Sequence, residues 1–221
     1  ASTRPDEIIY TITNNVWDFN AAAAYGNPTT PNLHYRVIIN AGVQVGSTDA
    51  AIPAFDTGTF PSGSILTLEN HGRIYGAGGN GGNGGSGNSP CHHTVCNTME
   101  YKSGENGGVA INAQTHITID NNSGQIWGGG GGGPGDGYVT QGCFSGHTTP
   151  NAYAIPGGGG GGGAGSSPGA GGLKGRLSVG PWPGNSSPGA TGTTLAGGVG
   201  GTGRCQAGQY SPNNGASGGG P

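Results

Sequence analysis

Apolar and β-branched residues gather in short runs over the first third of the chain, with turn-forming residues between them. EIIYTI (7–12) reads as a strand. The stretch VWDFNAAAAYGNPTTPN (16–32) opens with weak helical character and is stopped by Gly26, Pro28 and Pro31. YRVIINAGVQVGS (35–47) reads as two short strands around Asn40-Ala41-Gly42, and SILTLENHGRIYG (64–76) as strand, turn, strand. Beyond residue 76 the apolar runs thin out, and only ITID and QIW, at 117–127, restore the same pattern.

That return is an internal repeat. LTLENHGRIYGAGGNGG (66–82) aligns with ITIDNNSGQIWGGGGGG (117–133) once a single residue is inserted at the turn. Each copy runs through alternating β-branched or apolar residues, an acidic residue, Asn, a Gly turn, a polar–Ile–aromatic triplet and a Gly tract. VIINAGVQVGS is a weaker third copy. A repeated strand–turn–strand unit is expected either as stacked coils sharing a sheet, as in solenoids, or as separate hairpins with similar turns.

Composition divides the chain. Of 54 glycines, six fall in residues 1–75, so the first part has the make-up of a small β domain and the rest does not. The expected organisation is therefore an all-β module over 1–75, its repeat echoed at 108–127, and a glycine-rich part over 76–221, with essentially no α-helix. Charged residues are only 8% and the net charge is −3. This lacks the basic footprint of a nucleic-acid binder. It also lacks the high charge of a disordered tail, and three Trp, eight Tyr and four Phe remain. No stretch approaches the ~20 apolar residues of a membrane-spanning helix, so no membrane insertion is expected.

Five glycine tracts follow one another, at 76–87, 128–137, 157–172, 189–203 and 215–220. One such tract reads as a flexible linker. Five of them, separated by short aromatic segments, favour ordered structure. Gly is not strictly every third residue, which excludes collagen. A polyglycine-II-type bundle fits better. A three-residue helical repeat leaves every backbone N–H and C=O free to bond a neighbouring chain, and only Gly permits close approach. In GAGGNGGNGGSG (76–87) the period would turn two Gly faces inward and one polar face outward.

The run INAGVQVGSTDAAIPAFDTGTFPSGSILTLENHGRIYGAGGNGGNGG, followed by ITIDNNSGQIWGGGGGGPGDG, resembles the glycine-rich C-terminal region of siphophage tail-tip host-specificity (central tail fibre) proteins. The resemblance spans roughly residues 8–175. The adhesins of T-even-type phages, which also carry polyglycine helices, are similar in principle rather than by motif. Four cysteines and the Trp-Pro segment at 181–183 depart from the siphophage pattern. The resemblance implies a fibre-tip adhesin, placed extracellularly at the virion tail tip, that binds a bacterial surface protein or glycan through loops at the end of the bundle. It also implies a homotrimer or fibre assembly. A secreted protein that self-assembles into a filament is the competing expectation.

The candidate chemistry is sparse. Cys91, Cys96, Cys143 and Cys205 are disulfide candidates, Cys91 with Cys96 being the local pairing and three connectivities being open. PCHHTVC (90–96) has adjacent ligands at a spacing poorly suited to a tetrahedral ion, so no metal is expected. Asp136 in GGPGDGYV stands one position early for a calcium repeat. No carboxylate pair, GxSxG or phosphate loop emerges, so neither an enzyme nor a cofactor is expected. The better candidates for recognition are Tyr138, Phe144, Tyr153, Trp182 and Tyr210, which sit among Gly, Pro, Asn and Ser. Such aromatics give rigid contact area at low entropic cost.

Overall fold

The computed structural model describes residues 7–85, 102–135, 157–175, 185–204, 213–214 and 217–221. The chain divides into two compact units, one of residues 1–77 and 108–129, the other of residues 78–107 and 130–221.

The first unit is a stack of parallel β-rungs. The first rung holds β1 (Glu7–Ile12), β2 (Val16–Trp17) and β3 (Phe19–Asn20), followed by the single helical turn α1 (Ala21–Ala24). Asn20 caps that turn by accepting from Ala23 N, and the chain leaves it at Gly26 with φ +75°. The second rung holds β4 (His34–Ile39), β5 (Gln44–Gly46) and β6 (Phe55–Asp56). The third holds β7 (Ile65–Asn70), β8 (Arg73–Tyr75) and β9 (Ile111–Asn112), and the fourth β10 (Ile117–Asp120) and β11 (Gln125–Trp127). Three sheets run along the stack in the orders β1-β4-β7-β10, β11-β8-β5-β2 and β3-β6-β9, with every pair parallel.

The repeat read from the sequence is the stacking register. Leu66 pairs with Ile117, Glu69 with Asp120, Ile74 with Ile126 and Tyr75 with Trp127. The third copy falls into line, Val37 pairing with Leu68 and Val45 with Ile74. Strands such as β7 and β8 lie in different sheets and pair with their counterparts in neighbouring rungs. The copies are therefore coils rather than hairpins, because parallel pairing requires a crossover between partners.

The interior of the unit follows from strand alternation. Tyr35, Val37 and Ile39 of β4 are buried while His34, Arg36 and Ile38 are not. Rung by rung the inward positions stack like on like: Val37 on Leu68, Val45 on Ile74, and Phe19 on Phe55 with ring centroids 5.3 Å apart. Each fully buried aliphatic side chain contributes roughly 1.5–3 kcal/mol of burial energy. Asn70 interrupts the apolar ladder that runs through Ile12 and Ile39. Its Oδ1 accepts from Gly72 N at 3.0 Å, and its Nδ2 donates to Asn121 Oδ1 at 2.7 Å and to Gln125 O at 3.2 Å. A buried amide bonded in this way fixes both the third-rung turn and the fourth rung above it.

The second unit is built from glycine segments bonded side by side with a period of three. Gly78, Gly81 and Gly84 donate to Ser167, Ala170 and Leu173 at 2.8–2.9 Å. The intervening Gly79 and Gly82 donate instead to Gly130 and Gly133, both at 2.9 Å. Successive residues of one segment thus address different neighbours. The described residues hold eight such segments, around 77–85, 102–108, 129–135, 157–165, 167–175, 186–193, 196–203 and 217–220. The sequence tracts at 157–172 and 189–203 each fold back on themselves, at 166–168 and 194–196, and the less glycine-rich 102–108 joins the lattice as well. The count of five rods therefore becomes eight.

Segment 157–165 is buried throughout and bonds six others. Gly160 donates to Gly82 O and accepts from Gly172 N, Gly162 donates to Ala190 O and accepts from Gly198 N, Gly161 O accepts from Gly133 N, and Ala164 donates to Gly219 O. A Cβ on Gly160 would run into the Gly133 carbonyl, on Gly161 into Gly198 and on Gly162 into Gly169. This is the one segment with seven consecutive glycines. None of its described glycines takes a left-handed φ. Glycine is required here for close approach rather than for turning.

Candidate functional site

The eight segments alternate in direction. Bonds between 78–84 and 167–173 advance together, whereas Glu105 N bonds Asn80 O and Lys102 N bonds Asn83 O in reverse order. The tight turns at 166–168 and 194–196 consequently lie at one end of the unit. The flanks of the four longer connections, 86–101, 136–156, 176–184 and 205–212, all lie at the other.

Backbone bonds hold these flanks together. Gly135 N donates to Lys102 O at 3.0 Å, Gly157 N to Gly85 O at 3.2 Å and Gly175 N to Gly157 O at 3.0 Å. Ser186 Oγ donates to Gly175 O at 3.0 Å. Next to it a small antiparallel sheet joins β12 (Asn185–Ser186), β13 (Thr202–Arg204) and β14 (Asn213–Asn214), with Asn185 opposite Arg204 and Thr202 opposite Asn214. Ser187 N donates to Thr202 O at 2.7 Å, and Thr202 N returns a bond to Ser187 Oγ at 2.8 Å.

Tyr138, Phe144, Tyr153, Trp182 and Tyr210 lie outside the described residues, as do Cys91, Cys96, Cys143, Cys205 and Asp136. The described structure does bring together the anchoring points of the four connections that carry them. Sequence reasoning could place each aromatic in its own segment. It could not show that those segments share one end, because that depends on the fold-backs inside the two longest tracts.

Other polar side chains are drawn together in the first unit. On the outer face of the first unit Arg36 Nε pairs with Glu7 Oε2 at 3.0 Å and its NH1 with Glu69 Oε2 at 2.8 Å. Glu69 Oε1 meets His71 Nε2 at 2.9 Å, and His71 Nδ1 meets Ser123 Oγ at 2.6 Å. The hydrogen bond from His71, and then that from Arg36, hold the Glu69 carboxyl below its ordinary range. The two carboxylates likewise push the Arg36 guanidinium further up. Burial raises the Tyr25 phenol, which donates to Arg36 O at 2.6 Å. Asp120, placed in the turn by the repeat, accepts from Asn122 N and Nδ2 there. Among the described residues no cluster of His, Cys, Asp and Glu has the make-up of a metal site, and no helix is long and apolar enough to cross a membrane.

Two residues that sequence reading passed over stand out in the glycine unit. Asn80 Oδ1 accepts from Ala170 N at 2.8 Å, and Asn83 Oδ1 from Leu173 N at 2.9 Å. The polar face of the GGN period was expected to point simply outward. Its amides instead bond the backbone of the neighbouring segment, and the recurrence of Asn at every third position was the available signal.

Comparison with known proteins extends over nearly the whole chain. The family model described as phage tail fibre adhesin Gp38 matches residues 7–221. The agreement with the sequence reading is at the level of a phage tail-fibre adhesin. It falls on a Gp38-type adhesin rather than on the siphophage central fibre that the motifs resemble. No curated protein matches the sequence. Among solved structures, the gp37–gp38 adhesin tip complex of the bacteriophage S16 long tail fibre is similar at 25% identity and a TM-score of 0.46. The similarity covers 90% of this chain and 66% of that one, so the chain spans slightly less than two thirds of its length.

Proposed function

The chain belongs to the phage tail fibre adhesin Gp38 family, and on that premise we propose that it attaches the virion to a bacterial surface receptor, a protein or a glycan, through the four connections gathered at one end of its glycine unit. The observation that carries this is the convergence of Gly85, Lys102, Gly135, Gly157, Gly175 and Asn185 at that end. Every aromatic residue beyond Trp127 lies in a connection that starts and finishes there. Contact residues are proposed to be Tyr138, Phe144, Tyr153, Trp182 and Tyr210. Recognition of this kind needs shape and rigid anchoring, with no bond made or broken.

The glycine segments are read as polyglycine-II-type rods. Support comes from the three-residue period of their hydrogen bonds, from the absence of left-handed φ among their described glycines and from the side-chain-free faces between them. A Cys91–Cys96 disulfide would close one connection on itself, whereas the other pairings of Cys91, Cys96, Cys143 and Cys205 would cross-link connections whose flanks are adjacent. Peptide mapping under non-reducing conditions identifies them.

Assembly onto the fibre is assigned to the first unit. Among the described residues its first rung leaves the outer edges of β1, β2 and β3 unpaired and exposes Ile8, Ile9, Tyr10 and Trp17. Such an edge favours pairing with another chain.

Exchange of residues 138–155 or 178–188 with those of a related adhesin tests the reading. Adsorption to host cells should change with the exchanged segment while the chain still folds and reaches the virion. Unchanged host range in both exchanges, with fibres formed by the purified chain, would replace the adhesin by a self-assembling filament.

A further inference from the structure

A groove of about 290 Å³ opens on the side of the glycine unit, at a lattice position that no described segment fills. Among the described residues, segment 157–165 is bonded by six neighbours but 77–85 by four, namely 102–108, 129–135, 157–165 and 167–175. Along its remaining side run Asn80 and Asn83. The groove lies over them, walled by Lys102 to Glu105 on one side and by Gly171 and Gly172 on the other.

Its polar groups are held in place yet not used up. Glu105 Oε2 accepts from Asn80 Nδ2 at 2.7 Å and from Asn80 N at 3.3 Å, which fixes the carboxylate and leaves Oε1 without a partner among the described residues. Asn83 is fixed by its Oδ1 bond to Leu173 N, which leaves its Nδ2 donors without a bond among the described residues. Lys102 makes no ion pair among the described residues. An anchored acceptor, an anchored amide donor and an ammonium thus face one concavity with a flat glycine wall. A few convergent polar groups on a preformed surface are one feature of small-molecule sites, and the volume lies just below their usual range of about 300–1,000 Å³.

We propose that this groove binds a single pyranose residue of a bacterial surface polysaccharide. Glu105 Oε1 accepts from one or two vicinal hydroxyls, and Asn83 Nδ2 and Lys102 Nζ donate to hydroxyl oxygens. The Cα–H faces of Gly171 and Gly172 lie against the C–H face of the sugar ring. A neutral pyranose matches the groove because it supplies donors and acceptors together without a net charge to set against a Glu–Lys pair. The groove is lined by residues of the described glycine segments, so the site would add a weak sugar contact to attachment through the connections and raise avidity. The choice of a bacterial polysaccharide rests on the adhesin reading, whereas the binding of a pyranose to the groove is tested without cells.

The test is titration of the purified full chain with methyl glucoside, methyl galactoside and methyl mannoside, followed by backbone amide shifts and saturation-transfer NMR. Fully O-methylated glucoside serves as the control without hydroxyl donors. At least one of the three should shift the Gly81, Gly82, Gly171 and Gly172 amides with a dissociation constant on the order of 1–10 mM, as suits a ligand of this size. Glu105→Gln keeps an acceptor for Asn80 but loses the charge, and should weaken binding about tenfold, the scale of a charge-assisted hydrogen bond. Lys102→Ala, which removes no side-chain bond among the described residues, should weaken it about threefold. Exchange of 138–155 should leave the titration unchanged. The site is overturned if no pyranoside moves those four amides at concentrations of about 50 mM, if the O-methylated control moves them equally, or if the segment exchange abolishes the effect. Should Glu105→Gln fail to fold, Lys102→Ala decides, and an unchanged dissociation constant in that variant overturns the proposal.

Discussion

At the residue scale, the same residue type does different work in the two units. Gly42, at φ +80°, serves the β4–β5 turn, where a left-handed backbone excludes most side chains. Gly160 has no such φ and is glycine because the Gly133 carbonyl occupies the space of a Cβ. Gly160→Ala should therefore destabilise by at least ~2–3 kcal/mol through overpacking against backbone that cannot move aside. Asn83→Ala loses one amide acceptor for Leu173 N at an exposed position and should cost only about 1 kcal/mol. Chemical denaturation of both variants measures the difference, and equal costs would refute the close-approach account. Charge acts elsewhere. The Glu69 carboxyl titrates lower in the folded chain than in the unfolded one, so its stabilisation is complete above the ordinary glutamate range and is lost as pH falls through the folded value. Urea midpoints between pH 6 and pH 3 should therefore fall more for the native chain than for Glu69→Gln, which has no such proton to take up. Parallel curves would remove Glu69 from the acid response.

At the element scale, the repeat was legible because its residues pair with one another in space. The register Leu66–Ile117 through Tyr75–Trp127 is the sequence alignment itself, with the inserted residue absorbed in the turn between Asp120 and Gln125. What alternation could not distinguish was coil from hairpin, since both bury every second residue. The two differ in which strands are partners, and that information lies between copies rather than within one. The glycine segments have their own phase, visible in Ala77, Asn80 and Asn83, while the glycines between them meet neighbouring backbone. Deleting Gly82 alone would rotate Asn83 onto a face where a Cβ meets another segment. Deleting 81–83 removes one whole period and keeps the phase. The single deletion should be the more damaging of the two despite removing fewer atoms, with each misplaced side chain costing roughly 1–3 kcal/mol. Thermal unfolding of the two variants compares them, and a less stable triple deletion would exclude a three-residue phase.

For the whole molecule, the decisive property is parity. Segments alternate in direction, so the flanks of the four long connections and the two tight turns fall on opposite ends of the glycine unit. The sequence displayed the segments between tracts but concealed the parity, because 157–172 and 189–203 each contain a reversal marked only by Ser166-Ser167-Pro168 and by Thr194-Leu195-Ala196. With the anchors fixed by Gly157 N to Gly85 O and by Gly175 N to Gly157 O, the length of a connection is nearly free of energetic consequence. Doubling a loop costs only about 0.6 kcal/mol in closure entropy. Inserting ten Gly/Ser residues within 138–155 should therefore shift the unfolding midpoint very little, whereas host adsorption should drop if recognition runs through that end, as proposed. Hydrogen exchange read alongside should show the slowest amides of the glycine unit in 157–165, the segment enclosed by six others, in both the native and the lengthened chain. Fast exchange throughout 157–165 would mean that the segments do not form a bonded lattice. The connections would then have no fixed base from which to be presented.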